Sequence, residues 1–194
     1  MSNEETPASE PSNPIAIVTS YLDERGFTYT VHPELNRISH TVWGKCTLYR
    51  SEIRITHEDR LFQAHIYFPI AVRDEKFRSS ANELLTRANY GLPIGNFEFD
   101  CNDGEVRFHV SHPIGSYPLE KELIAHLLRT SVRTADRYFP ALVQHLYAGI
   151  TPEDAVYTAE LDVHAANVVE TPRSPSGDPK NPDQETSRVD PPAE

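Results

Sequence analysis

Residues 89–108 constrain the fold most: Asn89-Tyr90-Gly91-Leu92-Pro93-Ile94-Gly95 followed by Asn96-Phe97-Glu98-Phe99-Asp100-Cys101-Asn102-Asp103-Gly104-Glu105-Val106-Arg107-Phe108. The stretch reads as a helix end, a loop and a β-hairpin. Asp-Gly between alternating apolar residues is a strong two-residue hairpin signal, because both central positions need positive φ. A two-residue turn at Asp103-Gly104 pairs Phe99 with Phe108 on the inner face and Asp100 with Arg107 on the outer face. A three-residue loop sets Phe99 opposite Arg107, which the pattern rejects.

A second hairpin lies upstream. Tyr49, Ser51, Ile53 and Ile55 alternate with Arg50, Glu52, Arg54 and Thr56, and the period of two resumes in Phe62, Ala64, Ile66 and Phe68. A four-residue loop pairs Ile55 with Phe62 and Arg54 with Gln63, which keeps the apolar residues on one face. His57-Glu58-Asp59 then do the work of turn residues.

Helices separate these hairpins. Asn13-Pro14 is an N-cap with proline at the first helical position, and Gly26 stops the apolar stripe Ile15, Val18, Leu22. Phe27–Val31 is a short strand candidate. Residues 33–46 are ambiguous, punctuated by Pro33 and Gly44. Helical spacing returns over 74–90 through Phe77, Ala81, Leu84 and Ala88, and again over about 118–148. Pro140 is expected to kink or divide that long helix. Thr151-Pro152-Glu153-Asp154 opens a short last helix. The order predicts an α+β two-layer sandwich: a mainly antiparallel sheet of about five strands with helices on one face.

The ends are different. Residues 1–13 carry three glutamates and no basic residue; residues 168–194 carry six prolines and nine charges without an aromatic. Neither can bury enough apolar surface to offset its ordering, so a disordered acidic arm (1–13) and a disordered Pro-rich tail (168–194) are expected around a 14–167 domain. The net charge of −11 weighs against sequence-independent nucleic-acid binding. Cys46 and Cys101 form no disulfide framework and are expected to be reduced core residues. No signal peptide or membrane span is legible, so a cytoplasmic location is expected.

Catalytic constellations are not legible. His109 and His112 are three apart in a strand context and point to opposite faces, so no metal is expected there. Asp136 with Tyr138, and Asp100 with Glu98, read as surface electrostatics. Ser79 and Ser80 lack a nucleophile elbow. Gly91 to Gly95 lacks phosphate-loop spacing. Trp43, the single tryptophan, is either core or a partner-facing anchor, and Trp43 and Tyr67 are the two candidate partner-binding residues.

Glu83-Leu84-Leu85 with Asn89, Gly95-Asn96-Phe97-Glu98-Phe99-Asp100, Asp103-Gly104-Glu105-Val106-Arg107-Phe108, Ala135-Asp136-Arg137-Tyr138-Phe139-Pro140-Ala141-Leu142 and Gly149 occur in an order and spacing that resemble the YbjN-like family of bacterial sensory transduction regulators. The likeness spans about 14–150. It implies a class I type III secretion chaperone-like fold and a small, acidic, often dimeric protein that binds other proteins; it brings no catalytic residue and no cofactor. The expectation is therefore a non-enzymatic protein-interaction module, chaperone-like or regulatory, and a homodimer. The alternatives are a nucleic-acid-associated protein using the outer sheet residues Arg50, Arg54, Arg107 and His109, or an enzyme whose site the sequence does not display.

Overall fold

The computed structural model describes residues 13–169 except 57, 59 and 115–118. The chain runs α1 (Pro14–Glu24), β1 (Tyr29–His32), a single 3₁₀ turn (Pro33–Leu35), β2 (Arg37–Trp43), β3 (Leu48–Thr56), β4 (Leu61–Tyr67), α2 (Glu75–Asn89), β5 (Asn96–Phe99), β6 (Val106–Pro113), α3 (Lys121–Ala148) and α4 (Pro152–Val169). The strands form one six-stranded sheet in the order β1-β2-β3-β4-β6-β5, antiparallel throughout. The fold is the expected α+β two-layer arrangement with one strand more than expected. The additional strand is β2, in the stretch that sequence patterning left ambiguous.

Local chemistry sets the element ends. Asn13 Oδ1 accepts from the Ile15 N–H at 3.0 Å and proline follows at the first helical position of α1. Asp74 caps α2 in the same way through Lys76 N–H at 3.1 Å. Gly149, at φ 71°, closes α3 in the left-handed conformation. α3 continues through Pro140 as a single 28-residue helix and is not divided there. α4 reaches Val169, longer than the short helix expected and two residues into the proposed tail. The expected arm and the rest of the tail lie outside the described residues.

The β3–β4 register is the one the alternation demands, with Ile55 opposite Phe62 and Arg54 opposite Gln63. The β5–β6 register is not. Phe97 pairs with Phe108, Glu98 with Arg107 and Phe99 with Val106. The turn spans 100–105 instead of closing at two residues. Asp100 N–H donates to the Glu105 carbonyl at 2.9 Å, and Val72 N–H donates to the Gly104 carbonyl at 2.8 Å. A Cβ on Gly104 would lie 2.2 Å from the Val72 carbonyl oxygen, so the glycine serves a close backbone approach as well as its φ of 79°. The two-residue slip keeps every side chain on its expected face. The buried aromatic pair is Phe97–Phe108, ring centroids 5.0 Å apart, and Phe99 is only partly buried.

The helices cover the inner face of the sheet. Ile38, Ile53, Ile66, Phe108 and Val110 meet Leu84, Ile124, Tyr138 and Leu142 in one core. Cys46 and Cys101 are exposed, contrary to expectation, because both sit in turns at the ends of strands. The β3–β4 hairpin is internal, flanked by β2 and β6, so the sheet's free edges are β1 and β5.

Candidate functional site

The tip joining β2 and β3 is built on Asp136 of α3. The Asp136 carboxylate accepts the Lys45 N–H at 2.6 Å, the Cys46 N–H at 3.1 Å and the Tyr49 hydroxyl at 3.0 Å. Pro140 has no N–H, so the Asp136 carbonyl four residues earlier lacks its usual helical donor. The Cys46 thiol donates to that carbonyl at 3.5 Å. Gly44 is required at the contact: a Cβ there would stand 2.3 Å from Asp136 Oδ1 and 2.6 Å from the Tyr49 ring. Tyr49 is fully buried, edge-on to Phe139 at 6.1 Å. The Asp136 and Pro140 of the Ala135–Leu142 motif thus have a structural task, which is to lock a hairpin tip onto a helix.

That tip displays Trp43. Its side chain is 76% exposed and its cross-strand partner Leu48 is also exposed. A large apolar ring held in water on a tip this constrained can be buried by a partner with little loss of backbone freedom.

Tyr67 is different. It is 4% exposed and is not a surface anchor. It lies on the outer sheet face, where no helix packs, but arginines cover it. The Arg50 guanidinium sits 3.5 Å above its ring centroid and Arg107 lies at 5.9 Å. Its hydroxyl donates to Glu52 at 3.2 Å. Glu52 is itself buried and also accepts from Arg50 at 2.6 Å and Arg54 at 2.8 Å, with Arg37 at 3.7 Å. Burial pushes the Glu52 carboxyl up, but the Arg54 hydrogen bond and the three guanidinium charges outweigh it and hold the group below its ordinary value.

Beside this cluster lie His65, Glu98 and His109, whose candidate ligand atoms are all within 4.8 Å of one another. The sequence reading paired Arg107 with Asp100; the register gives it to Glu98, at 2.5 Å, and His109 Nδ1 meets the other carboxylate oxygen at 2.9 Å. Asp100 instead braces its own turn through the Asn102 N–H at 2.8 Å. His65 stacks on His109 with centroids 4.5 Å apart and planes 8° apart. In that arrangement the in-plane lone pairs run parallel and do not converge on a common point, whereas a zinc ion needs converging nitrogens at about 2.0–2.1 Å. Glu98 is also committed to Arg107. Glu98 and His109 are hydrogen-bonded, His65 is stacked on His109 with its Nδ1 unpartnered among the described residues, and a cation would require one ring to turn. Burial, then the charges of His109, Arg107 and Arg54, lower the His65 pKa to about 4, so the ring is neutral at pH 7. His112 faces the other side of the sheet, opposite Phe62. In the β3–β4 turn Glu58 has a φ of 55°, and His57 and Asp59 lie outside the described residues.

Among the described residues no helix is long and apolar enough to cross a membrane. Residues 14–144 match the profile of the YbjN family, described as "Putative bacterial sensory transduction regulator". The crystal structure of YbjN from E. coli is similar at 14% identity, over 62% of this chain and 84% of that one, with a TM-score of 0.47. The HopA1-SchA chaperone-effector complex is similar at 10% identity, over 65% of this chain and 93% of that one, with a TM-score of 0.39. Among curated protein sequences none matches. The family match covers well over half of the residues, and the chain belongs to the YbjN family.

Proposed function

We propose that the domain binds a protein partner through the β2–β3 tip, with Trp43 as the anchor, and acts as a chaperone-like or regulatory module in the cytoplasm without turning over a substrate. The observation that carries this reading is the exposure of Trp43 on a tip pinned to α3 by Asp136. The family description, a sensory transduction regulator, supports a role in which binding is the output. Trp43→Ala tests it: the captured complex weakens while the melting temperature stays within a degree or two, about what a surface truncation produces. Tyr67→Ala does not belong in that test, since Tyr67 is buried beneath Arg50 and its loss destabilises the fold. A complex that survives Trp43→Ala undiminished refutes the reading.

The nucleic-acid reading draws on Arg50, Arg54, Arg107 and His109 of the outer face. These are engaged by Glu52 and Glu98, so a phosphate would have to displace carboxylates that already satisfy them. A salt titration against single- and double-stranded DNA separates the two readings, because phosphate neutralisation weakens steeply with salt. The acidic arm, residues 1–13, and the Pro-rich tail, residues 168–194, are proposed to be dispensable for folding. Self-association is read as a homodimer through a free sheet edge, β1 or β5, since unpaired edges recruit strands. Light scattering across a concentration series decides it, and a single-chain mass at tens of micromolar refutes the dimer.

A further inference from the structure

Between the sheet and helices α1 and α3 lies a cavity of about 360 Å³. Val42, Ile66 and Leu128 give it apolar walls. Two polar side chains line it from the sheet. His40 of β2 and Ser51 of β3 are direct cross-strand partners, 6% and 0% exposed. His40 Nδ1 and Ser51 Oγ have no hydrogen-bond partner among the described residues. Buried polar atoms are nearly always paired, and leaving two adjacent ones unpaired is costly without a compensating occupant. Arg25 at the end of α1 and Arg129 of α3 also line the cavity; both are exposed, and neither is in an ion pair among the described residues.

We propose that this cavity binds a small organic acid with an apolar body, its carboxylate held by Arg25 and Arg129 and a hydroxyl or carbonyl at its far end held by His40 and Ser51. The volume lies in the lower part of the range of small-molecule sites, about 300–1,000 Å³. Each part of the site matches one part of such a ligand: apolar walls for the body, two cations at the exposed rim, and two polar atoms at the buried end. Ser51 can donate or accept, and so can a neutral imidazole at Nδ1 according to its tautomer, so either a hydroxyl or a carbonyl is served. Burial lowers the His40 pKa to about 4, so the ring enters this contact uncharged and the anionic end is directed to the arginines. A lone water would satisfy the polar pair but leave the apolar walls and the arginines unused. This inference is independent of the Trp43 reading.

The probes are 4-hydroxyphenylpropionate and 8-hydroxyoctanoate, an aryl and an alkyl version of the same pattern, titrated into the full chain by calorimetry. The His40 ring is followed by long-range ¹H–¹⁵N NMR. At least one probe is expected to bind saturably, one to one, and to shift the His40 nitrogens. Phenylpropionate or octanoate, lacking the hydroxyl, should bind about fivefold or more weaker, the size of one lost hydrogen bond. Arg25→Gln with Arg129→Gln should weaken binding at least as much. Ser51→Ala removes an unpaired buried hydroxyl, so the ligand-free variant should melt no lower than the parent protein while losing affinity for the probe. No saturable binding of either probe overturns the proposal. So does binding that leaves the His40 nitrogens unmoved. A Ser51→Ala variant that melts lower than the parent and binds the probes as tightly shows a hydroxyl satisfied by structural water that takes no part in binding, and overturns it as well.

Discussion

Asp136→Ala removes the acceptor of three hydrogen bonds at once. The Lys45 and Cys46 N–H groups lie in an exposed turn and can turn to water, so their loss is partly compensated. The Tyr49 hydroxyl has no such recourse: the residue is fully buried, and an orphaned buried donor bears its desolvation cost of about 1–3 kcal/mol. Adding about 0.5–1 kcal/mol for each partly replaced backbone bond gives a loss of about 3 kcal/mol, a large part of a domain stability of about 5–15 kcal/mol. Urea unfolding followed by far-UV circular dichroism measures it. Tyr49→Phe removes the donor that Asp136→Ala orphans, so the two substitutions should couple by about 1–2 kcal/mol in a double-mutant cycle. Released from the helix, the tip should move faster, and Trp43 fluorescence anisotropy should fall in Asp136→Ala under native conditions. A cost under about 1 kcal/mol, or strict additivity with Tyr49→Phe, refutes the clamp.

His40 and His65 have folded pKa values lowered to about 4 against the ordinary 6.5, so the unfolded chain takes up protons first as pH falls and stability drops through the window from about 6.5 to 4. Urea unfolding should show each costing about 2 kcal/mol between pH 7 and pH 5, with His65→Asn removing about half of that dependence; an unchanged slope in the variant refutes the assignment. Phe108→Ala should cost about 3–5 kcal/mol and the partly buried Phe99→Ala distinctly less, whereas equal costs would point to the two-residue turn, which buries both rings. Gly44→Ala should destabilise by about 1–3 kcal/mol, because its Cβ would overlap the Asp136 carboxylate, and Asp136→Ala in the same chain should relieve part of that cost; thermal melts of the three variants test it.

How far the sequence carried depends on what each element rests on. The β3–β4 hairpin was legible because each apolar residue from Tyr49 to Phe68 votes for the same register. α1 was legible because Asn13-Pro14 and Gly26 mark both ends. β2 was not, because its inner positions are Ile38, His40 and Val42, and a polar residue in the middle breaks the apolar alternation. The β5–β6 turn misled because the Asp-Gly rule is local, while Gly104 is held by Val72, more than thirty residues away. Tyr67 was read as exposed because no helix covers the outer face; arginine stems and guanidinium groups cover it instead. The His65–Glu98–His109 stack and the His40–Ser51 pair depend on which strands are neighbours, and no spacing in the chain announces that. Trp43 needed the same information, since its exposure follows from its place at a tip that Asp136 holds from a helix ninety residues on.

Site-specific photo-crosslinking at position 43 tests the central claim most directly. Trp43 is replaced by p-benzoylphenylalanine, which keeps an aromatic group on the exposed tip, and Thr86 on the exposed side of α2 carries the same label as a control. The account predicts one dominant crosslinked protein from position 43 in the native host, competed away by unlabelled parent protein but not by Trp43→Ala, and little from position 86. Equal labelling from both positions, or a position-43 adduct that Trp43→Ala competes away as well as the parent does, would contradict a partner site anchored on Trp43.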